Sequence, residues 1–192
     1  MVTQLLQNFA RQSIFDALAA LFLRPEEPDT LPRLREAMQA AAGLATELGI
    51  EPTPFERLAE GTLPTTRTLT EEYVSLFGDT NALSLAESAW IPADPSGLPV
   101  TELQCSHLYQ AAGLETAGLV GITTDHIALQ FAFTTVLILK EDLKGAAHFF
   151  DQHLANWLPA FATAIRQRED ARFYGQIADV LEGLCEIEKA LR

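Results

Sequence analysis

Residues 121–139 read GITTDHIALQFAFTTVLIL, an acid and a histidine followed by an almost wholly apolar run. Over 127–139 it carries no charge and is apolar nearly all round, as a helix at the centre of a helical bundle is. It is too short for the roughly 20 residues a membrane-spanning helix needs, so it reads as the core of a soluble protein. Asp125 and His126 stand at its head, and the pair has four readings: a catalytic couple, a metal site, a helix start, or part of a surface that grips a partner. Histidine titrates near neutral pH and a carboxylate can orient it. Neighbours on a helix point about 100° apart, however, so the two side chains do not readily face each other. A Thr124 or Asp125 N-cap, with acidic charge at the positive end of the helix, explains the pattern without any function.

Working outward, helical periodicity dominates and alternating strand patterns with hairpin turns are missing. A first helix is expected over 4–23, ended by the Arg24-Pro25 step. Asp29 or Thr30 caps a second over 31–48, with Pro32 in its first turn and Gly49 beyond its end. A short helix follows over 55–60. Thr68-x-x-Glu71 has the spacing of a capping box for a helix through Tyr73 and Phe77 to Gly78. The segment 79–99, rich in Pro, Gly, Ser, Asp and Asn, is an irregular loop of a length that is usually functional or disordered. Further helices are expected over 101–113, 125–141, 143–154, 158–168 (Pro159 in its first turn) and 172–191. The sum is an all-α, single globular bundle of roughly eight to ten helices.

The chain has 192 residues, 48% of them hydrophobic, enough for one sizeable core. Its 26 acidic against 13 basic side chains make it an unsuitable partner for nucleic acid or an anionic membrane. The N-terminal helix carries Asp16 within its apolar run and reads as amphipathic rather than as an export signal. Cys105 and Cys185 form no CxxC or Cys/His grouping and read as reduced, buried packing residues of a cytoplasmic protein. His148 and His153 are five apart, about 140° round a helix, so no metal is expected. HExxH, GxxxxGK[ST], GxSxG and GxGxxG are all absent, which leaves catalysis little support. Glu71-Glu72 reads as a first-turn acidic pair on a solvated face, and Trp90 and Trp157 as packing anchors.

The charge map says more. Residues 68–139 contain no Lys or Arg but carry Glu71, Glu72, Asp79, Glu87, Asp94, Glu102, Glu115 and Asp125. Folded around a groove, such carboxylates beside Tyr73, Phe77, Trp90 and Tyr109 suit an arginine-bearing, partly apolar partner. The alternative is that the acidic charge merely keeps the protein soluble.

EEYVSLFGD (71–79), AESAW (86–90), LYQAAGL (108–114), TDHIALQFAF (124–133) and HFFDQHLANWLPAF (148–161) resemble, in order, the TorD/DmsD/NarJ family of redox-enzyme maturation chaperones. The resemblance covers residues 71–192 well and the N-terminal helices by general character. It implies a TorD-like, all-helical chaperone domain over 1–192, with N-terminal helices 1–62 and a motif-bearing core 68–192. It also implies a cytoplasmic protein that is not an enzyme. Such a protein binds the twin-arginine leader, or the apo form, of a molybdopterin-containing oxidoreductase subunit and holds it back from export until its cofactor is inserted.

The family's leader-binding region corresponds to Gly78, Glu87, Ser88, Trp90, Asp125 and His126, with Tyr73 and Phe77 beside them. His126 is then expected to hydrogen-bond across to the 79–99 loop. Leu85-Ala86 stands where the family often has Pro-Trp, and Thr123-Thr124 where a proline often precedes Asp-His; both departures bear on which client is chosen. Guanine nucleotide binding, proposed for some members, lacks a P-loop here, so no cofactor is expected. A monomer is expected, with a helix-swapped dimer allowed by the proline-rich hinges. Two alternatives stand beside this reading: a NarJ-like chaperone of a non-exported subunit, and a nucleotide- or metal-dependent hydrolase built on Asp125-His126.

Overall fold

The computed structural model describes residues 2–78, 82–92, 94–115 and 121–192, as α1 (Val2–Leu23), α2 (Thr30–Leu48), α3 (Thr53–Glu60), α4 (Thr66–Tyr73), α5 (Val100–Ala111), α6 (Ile127–Leu139), α7 (Leu143–Phe149), α8 (Ala155–Arg166) and α9 (Phe173–Ala190). The chain is a single all-α bundle, and no helix among the described residues is long and apolar enough to cross a membrane. Asp79 and the connector residues 116–120 lie outside the described residues.

Helix α6 is central because its buried face, with Ile127, Phe131, Thr134 and Ile138, meets α1, whose Ile14, Phe15, Leu18 and Phe22 are wholly buried. Its other face is less covered than an apolar-all-round sequence suggests: Ala132 and Leu139 are exposed. Helix α1 also packs on α2, α2 on α3, and α9 on α8 and α3. A bidentate pair joins Arg11 of α1 to Glu188 of α9, with Nε and an amino nitrogen each 2.7 Å from a carboxylate oxygen and both side chains buried.

Several helix ends differ from the sequence expectation. Helix α4 is capped by Thr65, whose hydroxyl accepts from the Thr68 N–H at 3.2 Å, so Thr68 is the third helical residue and not the cap. Glu71 then pairs with Arg67, one turn back on the exposed face. Glu72 is not a solvated surface acid: its carboxylate accepts from Phe173 N–H (3.1 Å) and Tyr174 N–H (2.7 Å), capping the start of α9 from another helix. Helix α2 begins after Asp29, which makes no side-chain cap, and stops at Gly49 in the left-handed conformation (φ 71°).

The largest difference is at Pro159. The sequence predicts a break over 155–157 and a new helix with Pro159 in its first turn, yet residues 143–166 run on through a π turn at Phe150–Leu154, with Pro159 inside α8. The buried residues recur as pairs every four positions: Phe149-Phe150, His153-Leu154, Trp157-Leu158, Phe161-Ala162. At 3.6 residues per turn that stripe would rotate by about 40° per repeat, and the wider π turn takes the rotation back.

Candidate functional site

The segments that carry motifs converge on one short pairing. Ala86 and His126 form an isolated antiparallel bridge. Ile127 N–H donates to Leu85 C=O (2.8 Å) and Glu87 N–H donates to Asp125 C=O (3.1 Å). The loop residues 85–87 are thereby docked on the head of α6, and a single-turn 3₁₀ helix, Glu87–Ala89, follows directly.

Asp125 fastens this junction. Its buried Oδ2 accepts from Ser88 N–H at 2.9 Å and from the Thr101 hydroxyl at 3.3 Å. Burial pushes the Asp125 carboxyl up, but hydrogen bonds from Thr123, Ser88 and Thr101 outweigh it and leave the pKa below the ordinary carboxylate value. Helix α5 is pinned to the same segment, because Thr124 Oγ1 donates to Glu102 C=O (2.6 Å) and Tyr109 Oη to Thr124 C=O (2.9 Å).

With Asp125 turned inward, the cap of α6 is His126, whose Nδ1 accepts from Ala128 N–H at 3.2 Å. The ring thus bonds its own helix rather than reaching across to the loop; the crossing is made by its backbone neighbours. Burial lowers the His126 pKa to about 4, against a smaller opposing effect of Asp125, so the imidazole is neutral at pH 7.

Behind the 3₁₀ turn lies a second, fully buried polar group. His153 Nδ1 is 2.9 Å from Glu87 Oε2 and 3.7 Å from Cys105 Sγ. Gln130 Nε2 donates to the same Glu87 oxygen (2.5 Å) and to Cys105 Sγ (3.7 Å), and its amide is oriented by Trp157 Nε1, which donates to Gln130 Oε1 at 3.2 Å. Burial lowers the His153 pKa, while its contacts with Cys105 and Glu87 raise it by more, to about 9. The ligating atoms of Glu87, Cys105 and His153 all lie within 4.8 Å of one another.

Two grooves share the 82–99 segment. One, of about 540 Å³, is lined by Phe22, Leu23, Tyr73, Phe77, Leu83 and Leu85, with His126 at its edge. The other, of about 840 Å³, is lined by Glu87, Ser88, Asp94, Gln104, Gln152 and Asn156 among prolines and Leu98. Among the described residues, no Lys or Arg lines either.

Of the residues singled out in the sequence, His126, Tyr73 and Phe77 border the apolar groove, and Ser88 and the edge of Glu87 border the polar one. Gly78 ends the π turn Val74–Gly78 behind Phe77. Trp90 is half-buried, stacked on Trp157 with ring centroids 6.4 Å apart, and closes the loop by donating from Nε1 to Ser84 C=O at 2.9 Å. Asp125 and Glu87 hold the junction from within, at 0% and 1% exposure, and present no carboxylate to a ligand on the surface.

The model of the nitrate reductase delta subunit family matches residues 29–163, most of the chain. The chain belongs to this TorD/NarJ family. Over 77 residues it is 29% identical to the chaperone protein TorD of Photobacterium profundum, a match covering 34% of this chain and 36% of that protein. The alignment thus spans about a third of the relative's length. No solved structure matches the chain. The family span takes in the whole junction, both walls of the polar groove and the group formed by Glu87, Cys105, Gln130, His153 and Trp157.

Sequence reasoning misses Cys105, Gln130 and His153 as partners of Glu87. Their separations along the chain, 48 residues for Cys105 to His153 and 66 for Glu87 to His153, form no recognisable spacing. The available signal is a glutamine in the apolar run of α6 and a histidine in an aromatic segment, since buried polar side chains are kept only where they are paired.

Proposed function

We propose that this protein is a cytoplasmic maturation chaperone that binds the twin-arginine leader of a molybdopterin-containing oxidoreductase subunit before export, acting by binding rather than by catalysis. One observation carries the reading: an aromatic, apolar groove and a polar, acid-edged groove flank the same loop, and neither is lined by a basic residue among those described. A leader is itself two-part, with paired arginines followed by an apolar stretch. The apolar stretch suits the surface of Tyr73, Phe77, Leu83 and Leu85, where its burial from water drives association. The guanidinium groups suit the polar groove, where Asp94, Ser88, Gln104 and Gln152 offer acceptors free of competing cations. Membership of the nitrate reductase delta subunit family and the partial likeness to a TorD chaperone support the same class of function.

Asp125, His126 and Glu87 act in this reading as the frame that sets the distance between the grooves, and Trp90 as its brace. Asp94 and Gln104 are both exposed, so positive charge can be placed there without disturbing the core. The double variant Asp94→Arg, Gln104→Arg is expected to weaken leader binding tenfold or more in a fluorescence-anisotropy titration, with unchanged thermal stability. Unaltered affinity would remove the polar groove from the proposal. Equal capture of a client subunit with and without its leader would favour a NarJ-like chaperone of mature subunits instead.

A further inference from the structure

We infer that Glu87, Cys105 and His153 form a binding site for one divalent zinc-class cation, behind the polar groove that Glu87 borders and supported by Gln130. The three ligands come from three separate elements: the 3₁₀ turn, α5 and the π turn between α7 and α8. All three are buried, at 1%, 0% and 4% exposure, and their donor atoms converge within 4.8 Å. A tetrahedral ion with bonds of about 2.0–2.3 Å holds nitrogen about 3.4 Å from oxygen and about 3.6 Å from sulfur. The observed 2.9 Å and 3.7 Å meet that after Glu87 withdraws by about half an ångström.

The donor set selects the ion. One thiolate, one imidazole and one carboxylate suit borderline Zn²⁺; Ca²⁺ and Mg²⁺ call for all-oxygen shells, and Cu⁺ for more sulfur. Gln130 donates to both the carboxylate and the sulfur and is itself oriented by Trp157, the kind of outer support that fixes metal ligands. The π turn carrying His153 is a further sign, since such turns often mark functional positions. Glu87 borders the polar groove, as Gln104 and Gln152 do, so the ion would enter from that side, and a water would complete the four-coordinate shell.

Loading is proton-linked. Zinc-class ions bind thiolate and neutral imidazole, so affinity rises with pH. Cys185, on the far helix α9, takes no part.

The test is titration of the full chain, reduced and freed of metal by chelator, with Co²⁺ as a spectroscopic stand-in for Zn²⁺. A sulfur-to-cobalt charge-transfer band with tetrahedral visible bands is expected, saturating at one equivalent and bleached by Zn²⁺. The band is expected to survive Cys185→Ser and vanish in Cys105→Ser, and Gln130→Met is expected to weaken binding about 10- to 100-fold. Absence of a sulfur-to-cobalt band in the unsubstituted protein overturns the site, whether or not Cys105→Ser folds. A band lost with Cys185→Ser and kept with Cys105→Ser overturns it too. The outcome does not depend on whether any leader binds.

Discussion

The backbone N–H of Ser88 donates to the Asp125 carboxylate at 2.9 Å, across 37 residues of chain, and this bond fixes where the loop between the two grooves sits. The same oxygen accepts from Thr101 at 3.3 Å, so one carboxylate ties the 3₁₀ turn, the head of α6 and the start of α5. Asp125→Ala removes both bonds and leaves Ser88 N–H and Thr101 Oγ without that acceptor, which is expected to cost about 2–3 kcal/mol in urea denaturation at pH 7. Asp125→Asn keeps an acceptor oxygen and is expected to cost about 1 kcal/mol. Because the folded pKa lies below the ordinary value, the carboxylate's stabilisation is present above about pH 4 and fades as pH falls through the folded pKa. The unsubstituted and Asn proteins should therefore converge in stability in acid; a gap that widens there would contradict the role.

Stability should also fall on the alkaline side, through a different residue. The His153 pKa is raised from 6.5 to about 9, so its contribution is fully present below about pH 6.5 and is lost as pH rises through about 9. Urea midpoints measured in metal-free buffer between those limits should decline in the unsubstituted protein. In Glu87→Gln, which removes the charged partner at 2.9 Å, the decline should be much shallower. Parallel declines in the two proteins would mean that another group titrates.

Two adjacent glutamates should behave unlike each other. Glu72→Ala deprives Phe173 and Tyr174 of the carboxylate that receives their backbone N–H groups, and about 1–2 kcal/mol of stability should go with it. Glu71→Ala loses only an exposed i,i+4 pair with Arg67, for about 0.3–0.5 kcal/mol. Thermal denaturation of the two single variants side by side separates these outcomes, and equal losses would refute the cap.

Helix α9 carries two glycines of opposite expectation. A methyl group at Gly183 would lie 2.7 Å from Cζ and 3.1 Å from Cε2 of Phe55, a wholly buried ring on α3, so Gly183→Ala should destabilise by about 1–3 kcal/mol. At Gly175 a methyl meets nothing within 4 Å, and Gly175→Ala should stabilise by about 0.5–1 kcal/mol through the lost freedom of the unfolded chain. Opposite shifts in melting temperature are the expected reading; a stabilising Gly183→Ala would mean that α3 does not pack there.

Helices α1, α2, α6 and α9 are legible in the sequence because apolar periodicity and stop signals such as Arg24-Pro25 and Gly49 are local. What local rules misjudge are choices between near-equivalent side chains. Thr65 caps α4 where Thr68 has the matching spacing, and His126 caps α6 because Asp125 is drawn into a bond with Ser88 on the neighbouring loop. Pro159 normally argues for a helix start, but the four-residue recurrence of buried pairs from Phe149 onward outweighs it by favouring a π turn. Acidic residues counted toward a surface field include Glu72, Glu87 and Asp125, each of which is spent on internal hydrogen bonds. Only tertiary packing reveals that, as it alone brings Cys105 and His153 to Glu87.

Whether this protein grips a twin-arginine leader is decided by calorimetric titration with synthetic leaders of molybdoenzyme subunits from the same organism, at low and physiological salt. One leader is expected to bind in the micromolar range, more weakly as salt is raised, and binding is expected to be lost when both arginines are replaced by alanine. Failure of every leader to bind, or binding indifferent to the loss of both arginines, would contradict leader recognition.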